Sequence, residues 1–129
     1  MAVVALADLP GRPCPVAAAL DVVGERWALL VVREISLGAT KFGEIVRGTG
    51  APRDRVAARL KALEQAGVLA RVPYQDSPPR HEYRLTGAGL DLMPVLDALL
   101  SWGKEYAVDP DDPQRRNHYR SFTELKEAP

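Results

Sequence analysis

At 129 residues the chain is the size of one domain, long enough to bury roughly two-thirds of its unfolded surface without staples. Its 47% hydrophobic content and few aromatics suit a soluble, mostly helical protein, and seventeen Lys and Arg balance seventeen Asp and Glu. A single cysteine, Cys14, excludes an internal disulfide framework and fits a reducing compartment, and no apolar run approaches the ~18 residues of a membrane span.

The N-terminal stretch MAVVALADLPGRPCP has an apolar run with no basic segment before it, so it reads as an arm over residues 1–13 rather than a signal peptide, and the expected location is cytoplasmic. Pro15 then opens a short helix, VAAALDVVG, that is apolar nearly all round and stops at Gly24. A second helix is expected over ERWALLVVREISLG, with Trp27, Leu30, Val31 and Ile35 on one broad face and Gly38 at its end. KFGEIVRGTG gives a third, with Phe42, Ile45 and Val46 at helical spacing.

The fourth helix, in APRDRVAARLKALEQAG, has a core stripe of Val56, Leu60 and Leu63 that runs on to Gly67. Pro52 sits at its first turn, Asp54 favours its positive end and Gly67 stops it. That stripe turns Arg55, Ala58, Lys61, Ala62 and Gln65 outward, with Arg53 at the exposed start and Arg59 on the flank. Small alanines between long cations let the helix backbone approach another surface. Two strand-like runs follow, VLARVPY and HEYRL, joined by the turn-rich QDSPPR; Pro73 restricts the first to an isolated ribbon or an edge. Thr86 caps a long closing helix through Tyr106, bent at Pro94, in which nine of the thirteen residues Leu90–Trp102 are apolar.

One domain core cannot cover a helix so apolar on so many sides, and the first helix has the same excess. A homodimer burying both is expected, through Val16, Leu20, Leu92, Leu96, Leu99 and Trp102. The tail from Ala107 begins as a polar linker, and Asp112–Pro113 starts a short helix with Tyr119, Phe122 and Leu125 on one side.

Between Lys41 and Arg84 nine basic residues stand against five acidic ones, so a positive face is expected on a neutral body. Three helices, a cation-bearing fourth, a two-stranded ribbon and a closing helix form a winged helix-turn-helix, mainly α with a small β-ribbon. In that architecture the fourth helix enters the major groove of double-stranded DNA and the ribbon tip reaches a neighbouring groove or the backbone. The DNA-contact candidates are Arg53, Arg55, Arg59 and Lys61 on the helix, Arg80 at the tip, and Lys41 and Arg84 nearby. The plainer reading of each is a solvated cation, with Arg59 packed along the core edge or paired with Glu64 or Glu82.

The blocks CPVAAALDVVGERWALLVVREI, KFGEI, RLKALEQAGVL, PPRHEYRLTGAG and LMPVLDALLSWG resemble, in unbroken order over about residues 12–106, those of the HxlR family of bacterial transcriptional regulators, relatives of the MarR group. The resemblance implies a dimeric winged-helix DNA-binding protein over residues 14–106, most often a repressor, with 107–129 outside it. It also implies that the helix starting near Pro52 reads DNA and that Arg80 sits at the wing tip. Members often carry a serine or similar small polar residue where this chain has Pro52, which removes a hydroxyl contact to phosphate. Several members use a cysteine at the position of Cys14 as a redox or electrophile switch; an idle thiol at the dimer interface is the alternative.

Trp27 and Met93 are candidates for lining a small-molecule effector pocket, although such residues more often fill a core. His81 and His118 lack partners at metal-ligand spacing, so no metal or cofactor is expected. Nothing in the spacing supports an enzyme with Cys14 as nucleophile. The competing function is a winged-helix module that binds a protein or ligand without an operator.

Overall fold

The computed structural model describes residues 3–116 and 121–127. Five helices precede or follow the ribbon closely: α1 Pro15–Val23, α2 Ala28–Ser36, α3 Phe42–Thr49 and α4 Arg53–Gln65 before it, and α5 Gly87–Leu90 after it. The ribbon pairs β1 Leu69–Asp76 with β2 Pro79–Leu85, and α6 Met93–Trp102 and α7 Phe122–Glu127 complete the chain. The two strands form an antiparallel two-stranded sheet in which Leu69 faces Leu85 and Asp76 faces Pro79, with a bulge at Tyr74. Pro73 is accommodated because this sheet has no third strand to need its missing donor.

The core is built from Val31, Val32 and Ile35 of α2, Ile45 of α3, Val56, Leu60 and Leu63 of α4, Leu69 of β1, and Met93 and Leu96 of α6. Thr86 ties the ribbon base to the closing helices. Its hydroxyl donates to the Gly67 carbonyl at 2.6 Å, and its oxygen accepts from the Gly89 amide at 3.2 Å. Gly89 is required beside it, because a Cβ there would run into the Val68 carbonyl oxygen and crowd Leu85 at 3.2 Å.

Four local expectations are revised. The second helix begins at Ala28 rather than Glu25, because the Glu25 carboxylate accepts the Trp27 amide at 2.9 Å and holds a turn there. The hairpin loop is shorter than QDSPPR: the strands run on to Asp76 and from Pro79, leaving Ser77 and Pro78 as the tip. The closing helix is not continuous. It breaks at Asp91–Leu92, and Pro94, which cannot donate to the Leu90 carbonyl, lies in the first turn of a new helix. After Trp102 the chain passes into a wider π-type turn over Gly103–Ala107.

The tail folds back. Phe122 is 3% exposed within the core, which thereby gains a side chain from beyond position 106. Its segment is held by Asp97, whose carboxylate accepts from the Phe122 amide at 2.6 Å, the Thr123 amide at 3.1 Å and the Thr123 hydroxyl at 2.5 Å. Asp97 thus caps α7 from another helix. Tyr119 and His118 lie outside the described residues, as does the side chain of Leu125.

Burial pushes the Asp97 carboxyl up, but its bonds from Thr123 and from the Phe122 and Thr123 amides outweigh that and hold it below the usual carboxylate range. A depressed folded value means that the contribution is present above the unfolded pKa, about 3.9, and is lost as the pH falls through the folded one. The protection of amides over residues 122–127, measured against their intrinsic exchange rates at each pH, should therefore fall below about pH 4. In Asp97→Ala it should be low already at neutral pH, with a stability loss of about 1 kcal/mol, the worth of a cap. Slow exchange in Asp97→Ala would remove the cap from the account.

Candidate nucleic-acid interface

The turn between α3 and α4 fixes the geometry of this face. Gly50 takes a left-handed conformation with φ of 70°, which a side chain would resist. The Thr49 hydroxyl donates to the Ile45 carbonyl at 2.8 Å and accepts from the Ala51 amide at 3.2 Å, and Ala51 is buried. Helix α4 leaves this turn with Val56, Leu60 and Leu63 at 0, 2 and 1% exposure, so its rotation about its own axis is set. Arg55, Ala58, Lys61 and Gln65 are consequently exposed, as the periodicity predicts.

The seven predicted cations divide into two groups. Four are engaged within the chain. Arg53 lies over the Phe42 ring at 4.9 Å and Lys41 over the Tyr74 ring at 5.1 Å. Arg59 pairs with Glu25 at 3.4 Å, neither with Glu64 nor with Glu82, and so faces α1. Arg84 is bonded to Glu82, whose carboxylate also accepts from the Thr40 hydroxyl at 3.2 Å. The hydrogen bond from Arg84 holds the Glu82 carboxyl below its usual range. Among the described residues Arg55, Lys61 and Arg80 have no such partner, and they are exposed.

Arg80 sits opposite Gln75, one pair below the last ribbon pair, rather than at the tip itself. The Gln75 side chain donates to the Pro78 carbonyl at 3.3 Å and steadies the turn above it. The Tyr83 amide donates to the Thr40 carbonyl at 2.8 Å, and with the Glu82–Thr40 bond this fixes the ribbon to the α2–α3 connection. The wing is therefore oriented relative to α4 by hydrogen bonds at its base.

Sequence reasoning did not single out Arg71. It pairs with Tyr83 across the ribbon and faces a cleft whose other wall is Ala57, Lys61 and Glu64 of α4. The signal was strand alternation: Arg71 shares a face with Leu69, which points to the core, so it had to lie against α4. Lys61 and Arg71 thus stand on opposite sides of the cleft between helix and wing.

The other candidates lie away from this face. Cys14 is half-buried immediately before α1. Val16, Leu20, Leu99 and Trp102 are 65, 59, 51 and 60% exposed, whereas Leu96 is buried and Leu92 packs against the chain's own core. Those two are withdrawn from a surface role, because α6 turns Leu96 inward and the break before it sets Leu92 against the core. Met93 is fully enclosed and Trp27 is half-buried against the same cluster, so both serve the core rather than a cavity.

The sequence pattern of the HxlR-like helix-turn-helix family matches residues 22–111. An HTH-type transcriptional regulator of Mycobacterium tuberculosis is 47% identical over 95 residues, which cover 74% of this chain and 60% of that protein. The chain thus spans about 60% of the length of this relative. The structure of PA1607, assigned as a transcription factor, superposes with a TM-score of 0.73 at 42% identity, over 83% of this chain and 72% of that one. The redox regulator HypR in its reduced form superposes with a TM-score of 0.64 at 31% identity, over 73% and 94% respectively. With a winged helix-turn-helix fold and a match over most of its length, this chain belongs to the HxlR-like helix-turn-helix family.

Proposed function

We propose that this chain is a sequence-specific, cytoplasmic DNA-binding regulator of transcription that acts as a homodimeric repressor. The observation that carries the reading is the set of cations left without partners among the described residues. Arg55 and Lys61 on α4, Arg71 in the cleft and Arg80 near the wing tip are exposed, while Arg59 and Arg84 are ion-paired and Arg53 and Lys41 are stacked on rings. A helix locked by its buried stripe and studded with small residues fits a major groove, and a wing cation reaches the adjacent backbone. Lys61 and Arg71 are suited to clasping one phosphate between them.

The dimer reading rests on Val16 and Leu20 of α1 with Leu99 and Trp102 of α6, four large apolar side chains left open to solvent. Pairing two copies through them would present two α4 helices to successive major grooves, about 34–36 Å apart. The signal reading rests on Cys14, which begins the helix carrying Val16 and Leu20, and on the likeness to HypR. Oxidation of this thiol by a peroxide would alter the start of α1, and a coupling of about 1–3 kcal/mol suffices for regulation. The same apolar face also supports the competing reading, an interaction module that binds DNA weakly and without sequence preference.

Fluorescence anisotropy on DNA from the chain's own upstream region separates these. Arg55→Ala and Arg80→Ala are each expected to weaken binding, by about 1–3 kcal/mol where the arginine reads a guanine. Arg84→Ala, whose charge is already matched by Glu82, is expected to change it little. If both arginine variants bind as tightly as the parent, the assignment of groove and wing is wrong. Cys14→Ser should bind equally before and after peroxide, and loss of its binding on oxidation would remove Cys14 from the mechanism. Sedimentation of Leu20→Glu and Trp102→Glu should give monomers; dimers of unchanged affinity would place the interface elsewhere.

A further inference from the structure

We propose that the hollow between the end of α6 and the segment that follows it binds a small amphipathic carboxylate. It is built by a local feature of the backbone. After Trp102 the helix widens into the Gly103–Ala107 turn, closed by the Val108 amide donating to the Gly103 carbonyl at 2.9 Å. π-type turns of this kind are frequent at functional sites. The chain then reverses through Asp109–Asp112, where the Asp109 carbonyl accepts the Asp112 amide at 3.0 Å. This returns Arg115 to the turn after α6, where its Nε donates to the Lys104 carbonyl at 3.2 Å.

The hollow is open to solvent and its volume is about 520 Å³, within the range of small-ligand sites. Leu99, Leu100 and Val108 give it an apolar floor, and Lys104, Arg115 and Asp112 its charged rim. The charges are not equivalent. The Asp112 carboxylate is already an acceptor, taking the Gln114 amide at 2.8 Å within its own turn. Within the described residues the Lys104 ammonium has no partner, and Arg115 spends Nε on a backbone carbonyl while its terminal amino groups make no contact. An apolar floor beneath two uncommitted cations selects a compact apolar body carrying one carboxylate. Asp112 and Arg115 lie beyond the family match, which ends at residue 111, so the C-terminal segment supplies part of the rim while the floor comes from within the matched domain.

Leu99 also belongs to the face assigned above to the dimer, so occupancy could bias pairing; that clause alone rests on the regulator reading. The binding claim is tested without DNA, which keeps the two separable. The probes are 2-naphthoate and the neutral 2-naphthalenemethanol, titrated calorimetrically into the full chain. The expected result is saturable binding of 2-naphthoate at one site per chain. Lys104→Gln and Arg115→Gln, both at exposed or half-exposed positions, should each weaken it roughly tenfold, the scale of a charge-assisted hydrogen bond. The alcohol should be indifferent to both substitutions. Absence of saturable 2-naphthoate binding overturns the proposal. So does binding that both variants retain at parental strength, or an equal loss for acid and alcohol.

Discussion

The burial of Val56, Leu60 and Leu63 is the constraint on which the rest of this molecule depends. Each such side chain is worth about 1.5–3 kcal/mol when removed from water, so together they fix not only the docking of α4 but its rotation. With the stripe inward, the residues between it have no choice of direction. Arg55 and Lys61 face solvent, and Ala57, Ala58 and Ala62 keep the helix surface low between the cations. The cation-bearing face is thus a consequence of core packing, and its precision is inherited from that packing rather than from contacts among the cations themselves.

The distribution of charge follows a second rule. Cations near the hinges of the fold are used internally: Arg53 joins α4 to α3 through Phe42, Lys41 joins the α3 start to the ribbon through Tyr74, and Arg59 joins α4 to the turn before α2 through Glu25. Exposed contacts of this type contribute about 1 kcal/mol or less apiece, so their value lies in orientation more than in stability. Cations farther out are left open. A neutral chain can therefore present a positive surface without a positive total, because its balancing acids are placed elsewhere or paired.

Much of this was legible in the sequence because it follows from periodicity. The α4 stripe, the glycine that stops α3 and the proline that starts α1 are local signals with one interpretation each, and the order of elements gave the winged helix-turn-helix. What escaped reading were long-range outcomes. Nothing local says that Asp97 will cap a helix twenty-five residues later, or that Arg59 will find Glu25 rather than Glu64. The apolar richness of α6 could not distinguish residues turned into the core, such as Met93 and Leu96, from those left outside, such as Leu99 and Trp102. The break before Pro94 decided that division, and one proline leaves bend and break equally open. Arg71 was visible in principle, through strand alternation, once the ribbon's inward face was known.

The central claim is that α4 and the ribbon together form the DNA-binding surface, and amide hydrogen exchange with and without DNA from the chain's own upstream region tests it most directly. The account predicts slowed exchange over residues 53–65 and 69–85 when that DNA is present, and no such change with scrambled DNA at physiological salt. Slowed exchange confined to α1 and α6, with α4 and the ribbon unchanged, would contradict it.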